Sequence, residues 1–202
     1  MTSISAVWLD LKDYGTVLKK QFQIHKRIQN GEGETILGVE HPKTITFGKR
    51  GGVIQKKTTI PVFQIDRGGL ATAHEPGQLT IYPLISLEQR RIRIRDWVCL
   101  LEQSVIDWLK QYNIDGSRSK NPGIWVGEKK VCSLGIQVKK GISLHGLALN
   151  IKNSLDTFQY IEACGMPNRP MCTIQDLMEE PPSCKEAFES ISSYLIDHLE
   201  NI

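Results

Sequence analysis

Three consecutive strands joined by two short turns, within residues 124–151, constrain the fold of this chain more than any other feature of its sequence. The turns, Gly127-Glu128-Lys129 and Lys139-Lys140-Gly141, each contain a glycine, which accepts backbone angles closed to other residues. Apolar stretches flank them, and such hairpins pair antiparallel. The strands are predicted at residues 124–126, 131–138 and 143–151. The segment therefore predicts a sheet with antiparallel or mixed strands.

Helices are predicted near both ends of the chain and in its middle. Residues 16–29 are predicted to be helical, with Leu18, Phe22 and His25 on one face. Asp96 is the predicted N-cap of a second helix, and Ser183 with Glu186 forms a capping box ahead of a third. The apolar stripes of these two helices are Trp97, Leu100, Leu101, Val105, Trp108 and Tyr112, and Phe188, Ile191, Leu195 and Leu199.

Short strands fill most of the remaining first half. They are predicted at residues 6–11, 35–39, 44–47, 62–65 and 79–87. Pro83 in the last of them indicates an edge position or a bulge, because proline cannot donate to a ladder. The pattern predicts an α+β fold: a mixed or antiparallel sheet flanked by helices, in a single domain spanning residues 1–202.

Composition excludes several classes of protein. Of the 202 residues, 40% are hydrophobic and 23% charged, which argues against disorder. The net charge of +3 is too small to indicate a nucleic-acid partner. No apolar run approaches the ~18 residues of a membrane span, and the N-terminus lacks the pattern of a secretory signal. Five cysteines without a repeating spacing favour reduced thiols, and hence a cytoplasmic location.

The densest cluster of glycine and polar residues is RGGLATAHEPGQ, residues 67–78. Its glycines allow a ligand to approach the main chain, Arg67 offers a fixed cationic fork, and His74 can donate, accept or carry a proton. An ordinary loop with a solvated arginine and histidine is the alternative. Neither a dinucleotide-binding fingerprint nor a P-loop is present in the sequence.

Two further clusters contain candidate catalytic or ligand-binding residues. In residues 127–150, Lys130 opens a strand and two glycines, Gly135 and Gly146, lie inside strands, where glycine is costly unless a ligand or backbone needs the room. Lys130 is equally consistent with a solvated lysine, and His145 with a core histidine. In Ala163-Cys164-Gly165-Met166-Pro167, Cys164 becomes a competent nucleophile if a cation such as Lys130 lies beside it.

The other cysteines and the basic run have simpler interpretations. Cys99 and Cys132 are predicted to lie in the core, and Cys172 and Cys184 in loops without an assigned role. No cysteine or histidine spacing fits a zinc site, so no metal is expected. The arginines of residues 90–95 form either a solvated face or a surface for an acidic partner.

Together these segments resemble the lipoyl(octanoyl) transferases, also called lipoate-protein ligase B. The resemblance rests on EHPKTITFGKR from Glu40, RGGLATAHEPGQLTIYPL from Arg67, GIWVGEKKVCSLGIQVKKGISLHGLALNI from Gly123, and ACGM from Ala163. It implies a fold like that of the biotin and lipoate protein ligases. It also implies transfer of an octanoyl or lipoyl group from acyl carrier protein to a lysine of a lipoyl domain through a cysteine thioester.

The resemblance also assigns roles to individual residues. Cys164 matches the nucleophile, and Lys130 the lysine that lowers the thiol pKa and transfers protons. The matching acyl-binding positions are Arg67, Gly68, Gly69, Leu70, Ala71, Thr72, Ala73, His74, Ser133, Leu134, Gly135, Gly146, Leu147 and Ala148. The implied donor is octanoyl-acyl carrier protein, whose phosphopantetheine delivers the acyl group without ATP or metal. The implied acceptors are lipoyl domains of 2-oxoacid dehydrogenases and the glycine cleavage H protein; neither nucleic acid nor membrane is an expected partner.

The chain departs from the family pattern at three positions of the first cluster. Ala73 replaces the usual aromatic residue, Glu75 the usual glycine, and Leu70 a polar residue. Either Ala73 leaves space that alters chain-length preference, or another aromatic side chain fills it. Three other functions remain: an amidotransferase between lipoyl domains, an ATP-dependent lipoate or biotin ligase, and a non-catalytic acyl-binding module.

Overall fold

The computed structural model describes residues 3–162 and 171–201. Seven strands form the main sheet in the order β1-β2-β6-β10-β9-β8-β7, and three form a smaller sheet in the order β4-β3-β5. The strands are β1 Ile4–Leu11, β2 Glu34–Glu40, β3 Thr44–Phe47, β4 Val62–Gln64, β5 Ala71–His74, β6 Gln78–Leu84, β7 Gly116–Arg118, β8 Gly123–Val126, β9 Lys129–Lys139 and β10 Ile142–Asn150. The helices are α1 Tyr14–Gln29, α2 Ile94–Lys110 and α3 Cys184–Glu200, with short 3₁₀ helices at Asp156–Tyr160 and Ile174–Asp176.

The main sheet is mixed, and the predicted hairpins form its centre. Strands β8, β9 and β10 pair antiparallel through the two predicted turns, and β6 pairs antiparallel with both β10 and β2. Among the named strands that the structure describes in this sheet, β1 and β2 form the one parallel pair, because α1 crosses over between them. The predicted α+β class, with a mixed sheet flanked by helices, is therefore confirmed.

Helices α2 and α3 pack together on one face of the sheet and bury the largest core cluster, which contains Trp97, Trp108 and Phe188. The predicted capping box of α3 is present, since Ser183 and Glu186 exchange hydrogen bonds. Helix α1 covers part of the opposite face, where it buries Tyr14, Val17 and Ile28 against β2, β6 and β10.

Several local predictions were wrong. Phe22 is 45% exposed, and α1 instead buries a face that includes Val17, Gln21 and Ile24. Pro83 lies in a central strand opposite Ile36, so the edge position was wrong. The ladder between β6 and β10 is nevertheless interrupted around the proline, because it stops at Ile81 and pairing resumes between Ser86 and Ile142. Helix α2 begins at Ile94 with Arg93 as its N-cap, three residues before the predicted N-cap Asp96.

Candidate active site

One cavity lies between the main sheet and the turn that leads into β5. Its volume of about 200 Å³ is more than ten times the ~10–15 Å³ that a single buried water needs. All three acyl-binding segments predicted from the sequence contribute to its lining. The lining positions among the predicted residues are Arg67, Gly68, Gly69, Leu70, Ala71, Thr72 and His74, and Lys130, Ser133, Leu134, Gly135, Gly146, Leu147 and Ala148.

Small side chains leave room above the sheet. Thr80, Ala148 and Ser133 lie side by side across β6, β10 and β9, and all three line the cavity. Residues directly opposite on neighbouring strands share a face, so this row forms a continuous floor. The floor suits a slender apolar chain.

The two strand glycines allow backbone segments to pack closely at the cavity wall. A Cβ on Gly135 would lie 3.0 Å from the carbonyl oxygen of Gly68, whose own N–H donates to Ile136 across 2.8 Å. A Cβ on Gly146 would lie 2.0 Å from the carbonyl oxygen of Ile81 on the neighbouring strand. Gly135 therefore allows the turn at Gly68 to rest on β9, and Gly146 allows close contact within the sheet.

Arg67 holds the wall of the cavity together. Its guanidinium donates to the carbonyl oxygen of Thr46 at 2.8 Å, to the Thr46 hydroxyl at 3.0 Å and to the carbonyl oxygen of Gly68 at 2.9 Å. Its side chain is buried, and the three hydrogen bonds join the turn to β3. The cationic fork considered in the sequence analysis thus engages the protein's own backbone.

His74 belongs to a buried group of rings at the cavity. Its Nδ1 donates to the side-chain oxygen of Gln78 across 2.8 Å, and its ring stacks 5.7 Å from that of Tyr14. His41 donates from Nδ1 to the carbonyl oxygen of Lys12 and accepts from the Tyr82 hydroxyl at Nε2. Burial lowers the pKa of His41 to about 4 and that of His74 to about 3, so both rings are neutral at pH 7.

His145, a third histidine, lines the cavity from β10. Burial lowers its pKa to about 4. Its backbone has a φ of 59°, and its N–H donates to the side-chain oxygen of Gln21 on α1. Among the described residues, its Nδ1 and the Thr80 hydroxyl have no hydrogen-bond partner.

Two of the departures from the family pattern have a structural explanation. Ala73 does not line the cavity: it points into a separate cluster with Ile45, Phe158 and Ile161. An aromatic side chain, Phe158, is therefore present in the cluster that Ala73 joins. Glu75 is buried and accepts hydrogen bonds from the backbone and side chains of residues 153–157, which lie shortly before Cys164.

Lys130 is buried in the cavity wall, with 3% of its surface exposed. Its ammonium donates to the carbonyl oxygen of Pro122 across 2.9 Å and lies 5.4 Å from the centre of the Trp125 ring. Its backbone pairs with Met171, and its carbonyl oxygen accepts from the N–H of Cys172 at 3.1 Å. This lysine is therefore not the solvated residue of the alternative interpretation.

Cys164 lies outside the described residues. The other four cysteines are free thiols. Cys99 is exposed, so its predicted place in the core was wrong, whereas Cys132 is buried as predicted. Burial raises the pKa of Cys132 and of Cys184 to about 12 and also raises that of Cys172, so these three thiols are poor nucleophiles. Within residues 3–162 and 171–201, no group of three or more His, Cys, Asp or Glu residues is placed to hold a metal ion.

The basic run at residues 90–95 is partly engaged within the chain. Arg90 forms a 2.6 Å ion pair with the buried carboxylate of Glu34 and donates to the carbonyl oxygen of Leu199. Arg93 forms an exposed ion pair with Asp96. Arg90 thus ties α3 to the sheet and does not belong to a free basic surface.

Several cavity residues were missed by the sequence analysis. They are Tyr14, Arg50, Thr80, Tyr82, Val98, Asn121, Pro122 and Ile136. The alternation of Gln78, Thr80 and Tyr82 with apolar residues in β6 was a usable signal, because side chains two apart in a strand share a face. Tyr14 and Pro122 gave no such signal, since long-range folding brings them to the site.

Comparison with known proteins decides the family. Residues 13–196 match the model of the lipoyl protein ligase A/B catalytic domain. A protein named octanoyltransferase from Syntrophobacter fumaroxidans is 38% identical over 197 residues, which cover 93% of this chain and 86% of that protein. This chain belongs to the octanoyltransferases of the lipoyl protein ligase A/B family. The resemblance stated from the sequence motifs is confirmed, and the chain is an enzyme of octanoyl transfer in protein lipoylation.

Solved structures support the fold of this octanoyltransferase. A bipartite lipoate protein ligase from Thermoplasma acidophilum matches with a TM-score of 0.77 at 16% identity, over 99% of this chain and 84% of that one. The biotin protein ligase of Aquifex aeolicus matches with a TM-score of 0.58 at 13% identity, over 98% of this chain and 69% of that one. The predicted likeness to both ligase folds is confirmed. No helix within the described residues is long and apolar enough to cross a membrane.

Proposed function

We propose that this octanoyltransferase transfers its acyl group in two steps, with Cys164 as the nucleophile and Lys130 as the cation beside it. The observation that carries the proposal is the burial of the Lys130 side chain in the wall of the cavity. Lysine is almost never fully buried unless its ammonium is paired, because removing the charge from water is costly. A buried ammonium beside an acyl-sized cavity suits the stabilisation of a thiolate.

The described residues on either side of Cys164 support its approach to Lys130. On the N-terminal side, Ile161 pairs with Ile54, and the N–H of Glu162 donates to the carbonyl oxygen of Val53. On the C-terminal side, Met171 pairs with Lys130 itself. The segment that carries the cysteine is therefore attached at one end to the backbone of the proposed catalytic lysine.

In the first step, the Cys164 thiolate attacks the carbonyl carbon of an octanoyl thioester. The bond from that carbon to the donor sulfur breaks, and the donor leaves as a thiol after taking up a proton. One thioester replaces another, so the step is nearly isoenergetic and consumes no ATP. Backbone N–H groups near Cys164 and the segment from Ser133 to Gly135 would hold the oxyanion, a contribution often worth about 3 kcal/mol per donor.

In the second step, the free amine of an acceptor lysine attacks the enzyme thioester. A carbon–nitrogen bond forms, the bond to the Cys164 sulfur breaks, and the thiolate is restored. The amine proton leaves to solvent, either directly or through Lys130, which can take it up only as it releases one of its own ammonium protons. Conversion of a thioester to an amide is downhill. The two bulky protein substrates occupy the site in turn, so ping-pong kinetics are expected.

The cavity floor would bind the alkyl chain. At ~0.8 kcal/mol per buried CH₂, the roughly seven saturated carbons of an octanoyl group provide up to about 6 kcal/mol of binding. The residues proposed to line the chain are Arg67 to Thr72 and His74 on one side, and Ser133 to Gly135 and Gly146 to Ala148 on the other. Ala73 leaves this set, because its side chain lies in another cluster.

The partners follow from this chemistry. We propose octanoyl-acyl carrier protein as donor, through its phosphopantetheine thioester, and lipoyl domains of 2-oxoacid dehydrogenases or the glycine cleavage H protein as acceptors. The net charge of +3 suits acidic carrier proteins. The proposed reaction requires neither ATP nor metal and takes place in the cytoplasm, where thiols remain reduced.

Intact mass spectrometry tests the nucleophile. Mixing the protein with octanoyl-acyl carrier protein in the absence of acceptor should add one octanoyl group. Cys164→Ser should abolish the adduct, and the matched control Cys99→Ser should retain it, because Cys99 is an exposed thiol that does not line the cavity. An adduct that persists in Cys164→Ser would refute the assignment.

The same assay separates the competing functions. A ligase would form product only when ATP and free acid are supplied, an amidotransferase would prefer an octanoylated lipoyl domain as donor, and an acyl-binding module would form no covalent adduct. Lys130→Ala should slow alkylation of Cys164 at neutral pH. An unchanged alkylation rate would remove the proposed electrostatic role of this lysine.

A further inference from the structure

The peptide group between Pro122 and Gly123 lies between a buried carboxylate and the buried ammonium of Lys130. Glu102, on α2, is 4% exposed, and its Oε1 accepts from the N–H of Gly123 at 2.9 Å. The carbonyl oxygen of the same peptide group accepts from Lys130 Nζ, also at 2.9 Å. The two side chains therefore bind opposite ends of one amide.

The charges match the amide dipole. The negative carboxylate of Glu102 lies at the positive N–H end of the amide dipole, and the positive ammonium of Lys130 lies at its negative C=O end. Each hydrogen bond polarises the amide and thereby strengthens the other. Rotation of the peptide plane would weaken both hydrogen bonds together. The position of the Glu102 carboxylate therefore determines where the Pro122 carbonyl points, and with it the position of the Lys130 ammonium.

The surroundings leave this unit little freedom. Gly123 has a φ of 122°, and a Cβ at this position would lie 2.3 Å from the carbonyl oxygen of Cys132 and 2.6 Å from Cε of Lys130. The turn therefore packs directly against the lysine stem. The second oxygen of Glu102 is held by Arg118, whose Nε lies 3.2 Å away.

We propose that Glu102 is a positioning residue of the octanoyl transfer, acting on Lys130 through the Pro122–Gly123 peptide group. It fixes one N–H of the ammonium on the Pro122 carbonyl and so aims the rest of that group at the reacting sulfur. This inference rests on the catalytic role proposed for Lys130. It adds a residue on α2 that is not among the cavity-lining positions.

A double-mutant cycle tests the inference, with the rate at which octanoyl-acyl carrier protein acylates the enzyme in a single turnover as readout. Glu102→Leu should lower the rate about tenfold with little change in the donor concentration needed for half-saturation, since only the geometry of the reacting groups changes. Glu102→Gln retains an oxygen that accepts from Gly123 and should stay within about threefold of wild type. In a Lys130→Ala background, Glu102→Leu should change the rate less than about twofold.

Glu34 provides a matched control. It is another buried glutamate that accepts a backbone N–H, that of Ser86, and pairs with an arginine, Arg90. Glu34→Leu should lower the thermal midpoint as Glu102→Leu does, yet leave the acylation rate within about twofold of wild type. If Glu102→Leu does not fold, the double variant Glu102→Gln, Arg118→Gln replaces it in the cycle. This double variant should lower the acylation rate about threefold, and the loss should vanish in a Lys130→Ala background.

Equal loss of rate from Glu102→Leu in both backgrounds would overturn the inference, because Glu102 would then act independently of Lys130. A wild-type rate in Lys130→Ala would overturn both this inference and the proposed role of the lysine. An adduct that persists in Cys164→Ser would overturn the nucleophile assignment alone, since the Glu102 cycle compares rates in two backgrounds whatever residue is acylated.

Discussion

Three histidines that fold into neutral, buried positions should make this protein sensitive to mild acid. Burial lowers the pKa of His41 and His145 to about 4 and that of His74 to about 3. In the unfolded chain a histidine has a pKa of about 6.5. Between these values the unfolded state binds a proton that the folded state does not, so stability falls as pH falls from about 6.5 towards 4.

The magnitude follows from the number of protons. Each such histidine adds up to about 1.4 kcal/mol per pH unit to the slope of the free energy of unfolding against pH. The three together therefore give a slope of about 4 kcal/mol per pH unit where it is steepest. Between about pH 6.5 and pH 5 the free energy of unfolding should fall by about 5 kcal/mol, a large part of the ~5–15 kcal/mol typical of a domain. Above about pH 7.5 the histidine contribution is complete and the curve is flat.

Urea unfolding followed by tryptophan fluorescence measures this directly, since Trp97 and Trp108 are fully buried. His74→Gln should reduce the slope of stability against pH by about a third. A free energy of unfolding that stays constant from about pH 7 to pH 5 would refute the reasoning.

Three further predictions concern the cavity floor, a close backbone contact and a buried carboxylate. Ala148→Leu should shift acyl preference towards chains shorter than octanoyl in donor-competition assays, because Ala148 lines the cavity, whereas Ala73→Leu should lower stability without that shift. Gly146→Ala should cost about 3 kcal/mol in urea unfolding, since its Cβ would lie 2.0 Å from the Ile81 carbonyl oxygen; a loss below about 0.5 kcal/mol would contradict the close contact. Glu75→Leu should lower the thermal midpoint and slow acylation, because four donors lose their acceptor; wild-type values for both would contradict this.

The sequence predicted the central sheet well because its determinants are local. Strands β8, β9 and β10 are joined by glycine-containing turns, and such short connections can only bring neighbours together. By contrast, β5 was not predicted. Its residues Ala-Thr-Ala-His have weak strand preference, and the strand forms because β3, far away in the chain, pairs with it.

Pro83 and Phe22 show how tertiary context overrides local signals. Pro83 indicated an edge strand or a bulge, yet β6 is central, and the proline lies where the ladder to β10 is interrupted between Ile81 and Ser86. Phe22 fitted a helical stripe, but its neighbours Gln21 and Ile24 face the sheet instead. The direction in which a helix packs depends on partners that a period alone does not identify.

In the candidate site too, features set by local sequence were predicted, and features set by tertiary contacts were not. Glycine-rich motifs predicted the cavity walls, because each motif is a continuous segment with unusual composition. Glu102 gave no sequence signal, since it acts through the backbone of a turn some twenty residues further along the chain. The role of Ala73 was open for a similar reason: its side chain faces a cluster that includes Phe158, which only the fold brings near it.

The central claim is that the octanoyl group passes through a thioester on this protein. The most direct measurement is a chase: the octanoylated protein is separated from donor by gel filtration and mixed with an apo lipoyl domain in a quenched-flow experiment. The account predicts that the acyl group moves to a single lysine of the domain, without donor or ATP, at least as fast as steady-state turnover. An octanoylated protein that keeps its acyl group under these conditions would contradict the account.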